Sequence, residues 1–199
     1  KEISRLESNV TYVTCNLVKE GPMQDELLRK ALHQIIHGDK IVRELGGERG
    51  EVAKKLILAN ESIVEIEEDI ESLIKRSKYH NEVLQLYTFT GRDHVEDAQW
   101  IQKECAKYGI YVENNFLEIK DLLEMSTIQK ADMMHDSATI SERIEDSLLY
   151  MFLTKNSFIH GQSSMDFHKK LSPYYKEEHL ENRVTLLRDI EDALLRHIH

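Results

Sequence analysis

The sequence predicts an all-α fold: an elongated helical bundle of about seven helices, one domain over residues 1–199. Three observations predict it. Apolar residues recur at steps of three and four along most of the chain, the repeat of a helix with one buried face. Two prolines and eight glycines punctuate 199 residues, too few for a turn-rich β-sandwich. Val52, Leu56, Ala59, Ile63, Ile66, Ile70 and Leu73 alternate steps of four and three, an a/d seam of about three heptads.

The elements follow in order. Ile3, Leu6, Val10, Val13 and Leu17 predict an amphipathic helix over 2–19, stopped by Gly21-Pro22. Leu27, Leu28, Ala31, Leu32, Ile35, Ile36 and Val42 predict a second helix over 24–45, ending at Gly46-Gly47. The seam predicts a long third helix, packed on a partner in the same chain or in another subunit. Its flanks are acidic, with eight acids and three bases over 48–72, a solvated face. Residues 83–92 are the one stretch with β character. A lone strand there has no evident partner except Ile110-Tyr111-Val112, so the segment reads as helix or loop. Val95, Ala98, Ile101 and Cys105 predict a helix over 93–108, stopped at Gly109. Further helices are expected over 115–135, from a cap at Thr139 or Ser141, and from Lys176 to the end, with a polar loop from Gly161 to Pro173.

Charge and cysteine usage bound the function. Lys plus Arg is 26 against 36 Asp plus Glu, a net charge of −10. This excludes a generally basic coat for duplex DNA and disfavours anionic membranes. The longest apolar run, Leu148–Leu153, is far short of the roughly 20 residues of a membrane span. Cys15 and Cys105 are too few for a disulfide framework and form no C-x-x-C pair. No signal-peptide pattern opens the chain, so a cytoplasmic, reducing compartment is expected.

Several side-chain patterns invite chemistry. His33 and His37 are four apart, a chelating spacing on one helix face. The same pair resembles the phosphotransfer bundles, although their lysine-glycine pair is out of register. Glu61, Glu65, Glu68 and Glu71 share a helix face and resemble the helical nucleotide pyrophosphatases. Their second acidic pair would fall at Glu118 and Asp121 or at Glu142 and Asp146. His94 with His135-Asp136 resembles a stripped-down HD-type phosphohydrolase. There a histidine and a later His-Asp pair hold a metal that activates water. Ser137 and Ala138 stand where that family carries glycine and lysine. Each pattern also reads as an ordinary polar helix face.

The strongest local signal is Tyr150-Met-Phe-Leu-Thr-Lys155-Asn156-Ser-Phe-Ile-His160-Gly161, followed by one more long helix. It resembles the HEPN family of helical domains over residues 140–199, with Lys155 where catalytic members carry arginine. The resemblance implies a metal-independent ribonuclease or a weakened relative, acting as a dimer on RNA without a cofactor. His160 would transfer the proton, Lys155 would neutralise phosphate charge, and Asn156 would orient the phosphate. Lysine lacks the planar fork that clamps phosphate in two places. Four lysines against one aspartate over 154–176 make a local basic island. Tyr174 and Tyr175 there serve as base-stacking platforms or as loop anchors. The competing class is a non-enzymatic interaction module that assembles with a protein partner or a second copy through the seam.

Overall fold

The structure, a computed structural model, describes residues 8–46, 68–122, 124–140, 172–179, 181–183 and 185–190. In chain order its elements are β1 (Ser8–Cys15), α1 (Glu26–Ile35), α2 (Gly38–Leu45), α3 (Ile70–Arg76) and β2 (Leu84–Phe89). Then come α4 (Arg92–Lys107), β3 (Val112–Leu117), α5 (Ile119–Leu122), α6 (Met125–Lys130) and β4 (Met133–Ile140). Residues 172–176 and most of 181–190 are also helical.

The strands form one mixed sheet in the order β1-β4-β2-β3. β1 pairs antiparallel with β4, while β2 runs parallel to both β4 and β3. The expected all-α bundle is therefore overturned: the described residues form an α/β fold. The main core lies between one sheet face and the helices. Leu84, Leu86 and Met133 from the strands meet Leu28, Leu32 and Ile35 of α1 and Ala98, Ile101 and Cys105 of α4. A smaller cluster of Leu122, Ala131 and Met134 covers the other face.

Each departure has a local cause. In β1, the run Val10-Thr11-Tyr12-Val13-Thr14 is made of residues that stiffen at χ1 or carry a ring, and these favour a pleated surface. Val10 and Val13 happen also to be three apart, which mimics a helix. The 83–92 segment does have a partner. Leu84 pairs with Val112 and Phe89 with Leu117, so β2 and β3 are the two parallel strands of a crossover unit closed by α4. The expected helix over 115–135 is divided among the end of β3, the short helices α5 and α6, and the start of β4. The Thr139 cap falls within β4, and Ser141 lies outside the described residues, as do positions 52–66 of the heptad seam. Of the seam's last two positions, Leu73 is buried and Ile70 half-buried in α3.

The expected helices over 24–45 and 93–108 do form, the first as two pieces, with recognisable ends. Asp25 caps α1 by accepting from the Leu27 and Leu28 amides at 2.8 and 3.3 Å. Its other oxygen accepts from Lys78 N at 2.6 Å, tying the start of α1 to the chain after α3. The second expected helix is broken at Ile36-His37 into α1 and α2. α4 stops as its glycine predicts. Gly109 has φ +75°, and the Ile110 and Gly109 amides return to the carbonyls of Cys105 and Ala106. Among the described residues no helix is long and apolar enough to cross a membrane.

Asp132, 4% exposed, joins three strands at the start of β4. One carboxylate oxygen accepts from Gln85 N at 2.8 Å and the other from Lys19 Nζ at 2.6 Å. Its own amide donates to the Gln85 carbonyl, and its carbonyl accepts from Asn16 N. Asp132→Ala leaves the Gln85 amide without this acceptor and Lys19 Nζ with the Lys130 carbonyl at 2.9 Å, so we expect a loss of about 2 kcal/mol in urea denaturation. Asp132→Asn keeps part of the network and should lose about half as much. An Ala variant with an unchanged midpoint would remove Asp132 from this role.

Trp100 tests the packing of α2. Its indole Nε1 donates to Glu44 Oε2 at 2.9 Å, and α2 has no buried residue of its own. That bond also holds the Glu44 carboxyl below its ordinary range. In Glu44→Ala the emission of this single tryptophan should shift to the red as α2 lifts, with the global urea midpoint little changed. Unshifted emission would show that α2 is held by other means.

Candidate functional site

The parallel strands β2, β3 and β4 all end on one side of the sheet. In open sheets of this kind the crevice outside the carboxyl ends is where ligands bind, because the loops there are free of the ladder. Here that edge is built from Thr90-Gly91-Arg92, from Phe116 to Ile119, and from the far half of β4. Thr90 N donates to the Leu117 carbonyl at 3.1 Å, which locks the two strand ends together. The Thr90 hydroxyl reaches Glu118 Oε1 at 3.4 Å. Phe116 (36%) and Ile119 (61%) are exposed beside them. The edge thus offers a hydroxyl, a carboxylate and two apolar side chains.

Gly91 is the first link between this edge and α4. No side chain caps the helix, and the Gly91 carbonyl accepts from Val95 N at 3.0 Å. A Cβ on Gly91 would stand 3.0 Å from Phe89 Cε2. The bare backbone lets the Phe89 ring lie against His94, with ring centroids 3.7 Å apart.

Beneath the edge lies a buried polar cluster. His94 of α4 and His135 of β4 bring their Nδ1 atoms to 3.2 Å. Thr88 Oγ1 of β2 stands between them, 3.4 Å from His94 Nδ1 and 3.3 Å from His135 Nδ1. Asp97, one turn along α4 from His94, puts Oδ2 3.5 Å from His135 Nε2. Burial first, and then the neighbouring His135, push the His94 imidazole down to about 4, with Asp97 and Asp93 pulling the other way.

The structure thus brings His94 and His135 together, as the HD-type pattern requires, but separates them from Asp136. Adjacent residues of a strand point to opposite faces. His135 turns toward α4, whereas Asp136 pairs in register with Tyr12, and burial raises its carboxyl. Among the described residues no group of three or more His, Cys, Asp or Glu is arranged to hold a metal. Thr88 and Asp97 were missed by sequence reading. Asp97 had a signal, lying three residues after His94 on one helix face; Thr88 had none while its segment read as helix or loop.

The other expected sites fare as follows. His33 and His37 do not share a helix face, since α1 ends at Ile35 and His37 begins α2, facing Asp39 at 3.5 Å. Glu61, Glu65, Glu142 and Asp146 lie outside the described residues. Glu68 pairs with Arg76 at 3.3 Å, and Glu118 belongs to the carboxyl edge. Lys155, Asn156 and His160 also lie outside the described residues. Tyr174 is an anchor: it is buried, accepts from Arg183 Nη2 at 2.9 Å, and lies under that guanidinium. Tyr175 is exposed, edge-on to Tyr174.

No family model matches the chain. Over 197 residues it is 35% identical to the uncharacterized protein YhjP of Bacillus subtilis, covering 96% of this chain and 34% of that protein. The chain therefore spans about a third of that relative's length. Among solved structures it resembles HbpA2 of Haemophilus parasuis, with a TM-score of 0.78 at 17% identity, over 98% of this chain and 42% of that one. It also resembles the murein tripeptide binding protein MppA of Escherichia coli, at TM-score 0.74, 18% identity, and 96% and 41% coverage. A third is NikA of Staphylococcus aureus in complex with Ni(L-His)2, at TM-score 0.75, 16% identity, and 96% and 44% coverage. These likenesses show the fold. It is an α/β fold shared with binding proteins, so the expected RNA-acting helical domain, the helical oligomerisation module and the HD-type phosphohydrolase are all corrected.

Proposed function

We propose that this chain is part of a ligand-binding protein, and that its ligand is a short peptide held at the carboxyl edge of the sheet. The observation that carries the reading is the shared fold, extending over 96% of the chain with a protein named for binding a murein tripeptide. The chemistry of the edge supports it. Glu118 offers a carboxylate to a peptide ammonium, Thr90 offers a hydroxyl to a peptide carbonyl, and Phe116 and Ile119 offer apolar surface to a side chain. The fold neighbours are more than twice as long as the matched region, so further contacts would come from outside it. The cytosol is part of this proposal. Cys15 and Cys105 are free, and unpaired thiols persist in a reducing medium.

Calorimetric titration with a tripeptide and tetrapeptide library tests the reading, with Ni(II)–histidine as the comparison probe. Saturation at about 100 times Kd should stabilise the fold by about 2.7 kcal/mol, read as a higher melting temperature. Glu118→Gln should weaken peptide binding about tenfold, the scale of one charge-assisted hydrogen bond, and leave the ligand-free melting temperature unchanged. Binding of the nickel chelate but of no peptide would overturn the peptide reading. Fractionation of cells tests the compartment.

A further inference from the structure

The cluster below the edge plays no part in holding a peptide, yet it joins β2 and β4, which end there, to α4, which begins there. We propose that His94 and His135 form a proton-operated latch: with His94 neutral the first turn of α4 is held on the sheet, and when His94 takes up a proton that turn is released. The latch does not depend on the ligand-binding reading and goes beyond it.

Geometry carries the proposal. A carboxylate 3.5 Å from His135 Nε2 draws that nitrogen's proton toward itself and leaves the His135 Nδ1 lone pair for a donor. His94 Nδ1, at 3.2 Å, is placed to be that donor, with the Thr88 hydroxyl alongside both rings. The neutral arrangement needs one proton on each imidazole. Among the described residues the ring hydrogen bonds of His94 run through Nδ1, so a second proton goes onto Nε2, away from the network. It makes a cation of a ring that is 9% exposed and lies against Phe89. Among the described residues the groups facing His94 are Thr88 from β2, His135 from β4, and Asp93 and Asp97 from α4 itself. Val13 of β1, opposite His135, brings no charge. The two carboxylates favour the cation, and burial outweighs them.

The sign follows from linkage. The His94 imidazole is held at about 4 on the sheet and returns toward its ordinary 6.5 when released. The released turn binds the proton more readily, so opening grows as pH falls below about 6.5 and levels off below about 4. Above that window the latch is closed. Residues 92–95, which it holds, include the turn closed by the Val95 amide on the Gly91 carbonyl.

Amide hydrogen exchange from pH 7 to 3, corrected for intrinsic rates, tests this in the ligand-free protein. Carbon-bound imidazole proton spectra recorded alongside follow the titration of His94. Protection at Val95 should fall about tenfold or more relative to Tyr108 and Ile110 at the far end of α4, with the midpoint of the His94 titration. In His94→Gln, which keeps a donor for His135 but cannot titrate, and which retains Asp93 and Asp97, the fall should shrink to within about twofold. Unchanged protection at Val95 in the wild type overturns the latch. So does an equal fall in His94→Gln, which would assign it to the carboxylates. Where His94→Gln does not fold, the wild type decides: protection midpoint and His94 titration must coincide, and separation of the two overturns the proposal. Loss of peptide binding at every pH would sink the ligand reading and leave this result untouched.

Discussion

The placement of β4 rests on the buried carboxylate of Asp132. β4 lies between an antiparallel and a parallel neighbour, and the register that its buried face specifies is reinforced by a polar contact at its start. Asp132 does this by bonding Gln85 on one side and Lys19 on the other, while Asn16 reaches the preceding Ala131 carbonyl. The ion pair is partly open to water at Lys19, so it escapes the full desolvation cost of a buried pair. Once Asp132 is set, Met133 faces the main core, Met134 the smaller one, and His135 arrives opposite Thr88. A slip of one residue would send His135 to the other face and put Asp136 under α4.

The same placement explains what was legible in the sequence. α4 was readable because its information is local: a three-four apolar repeat, a glycine before it and a glycine after it. α1 and α2 were readable as helix but not as two helices, because the break at Ile36-His37 has no proline or glycine before Gly38 to announce it. The sheet was not readable, because its evidence is non-local. β2 carries alternation in its burial, yet alternation has meaning only beside a partner, and the partners begin 28 and 49 positions further on, at Val112 and Met133. β1 pairs with residues more than 100 positions away, and its own spacing imitated a helix.

The candidate site shows the same division. His94 and His135 were singled out as a pair, and they do meet. The chemistry attached to them failed because it assumed both lay on helices, where neighbours in sequence share a metal. On β4 the alternation that brings His135 inward carries Asp136 outward. Thr88 became visible only with β2 in place. Thr90 and Glu118 acquire meaning only because two parallel strands end side by side. Single residues of ordinary type become a site through topology, which a short motif search does not sample.

α4 explains why an adjustable element sits at this edge. Its buried face changes character along its length. The first turns present His94 and Asp97, and the later turns present Ala98, Trp100, Ile101 and Cys105 together with one carboxylate, Glu104. The later half is held mainly by apolar burial, worth about 25 cal/mol per Å² and insensitive to pH near neutrality. The first half is held by polar groups whose attraction depends on the number of protons they share. Burial pushes the Cys105 thiol up to about 12, and the buried Glu104 is paired with Lys107 of the same helix. The helix is therefore anchored at the end far from the carboxyl edge and conditional at the end that forms it. Loosening the conditional end costs few apolar contacts and leaves the sheet intact.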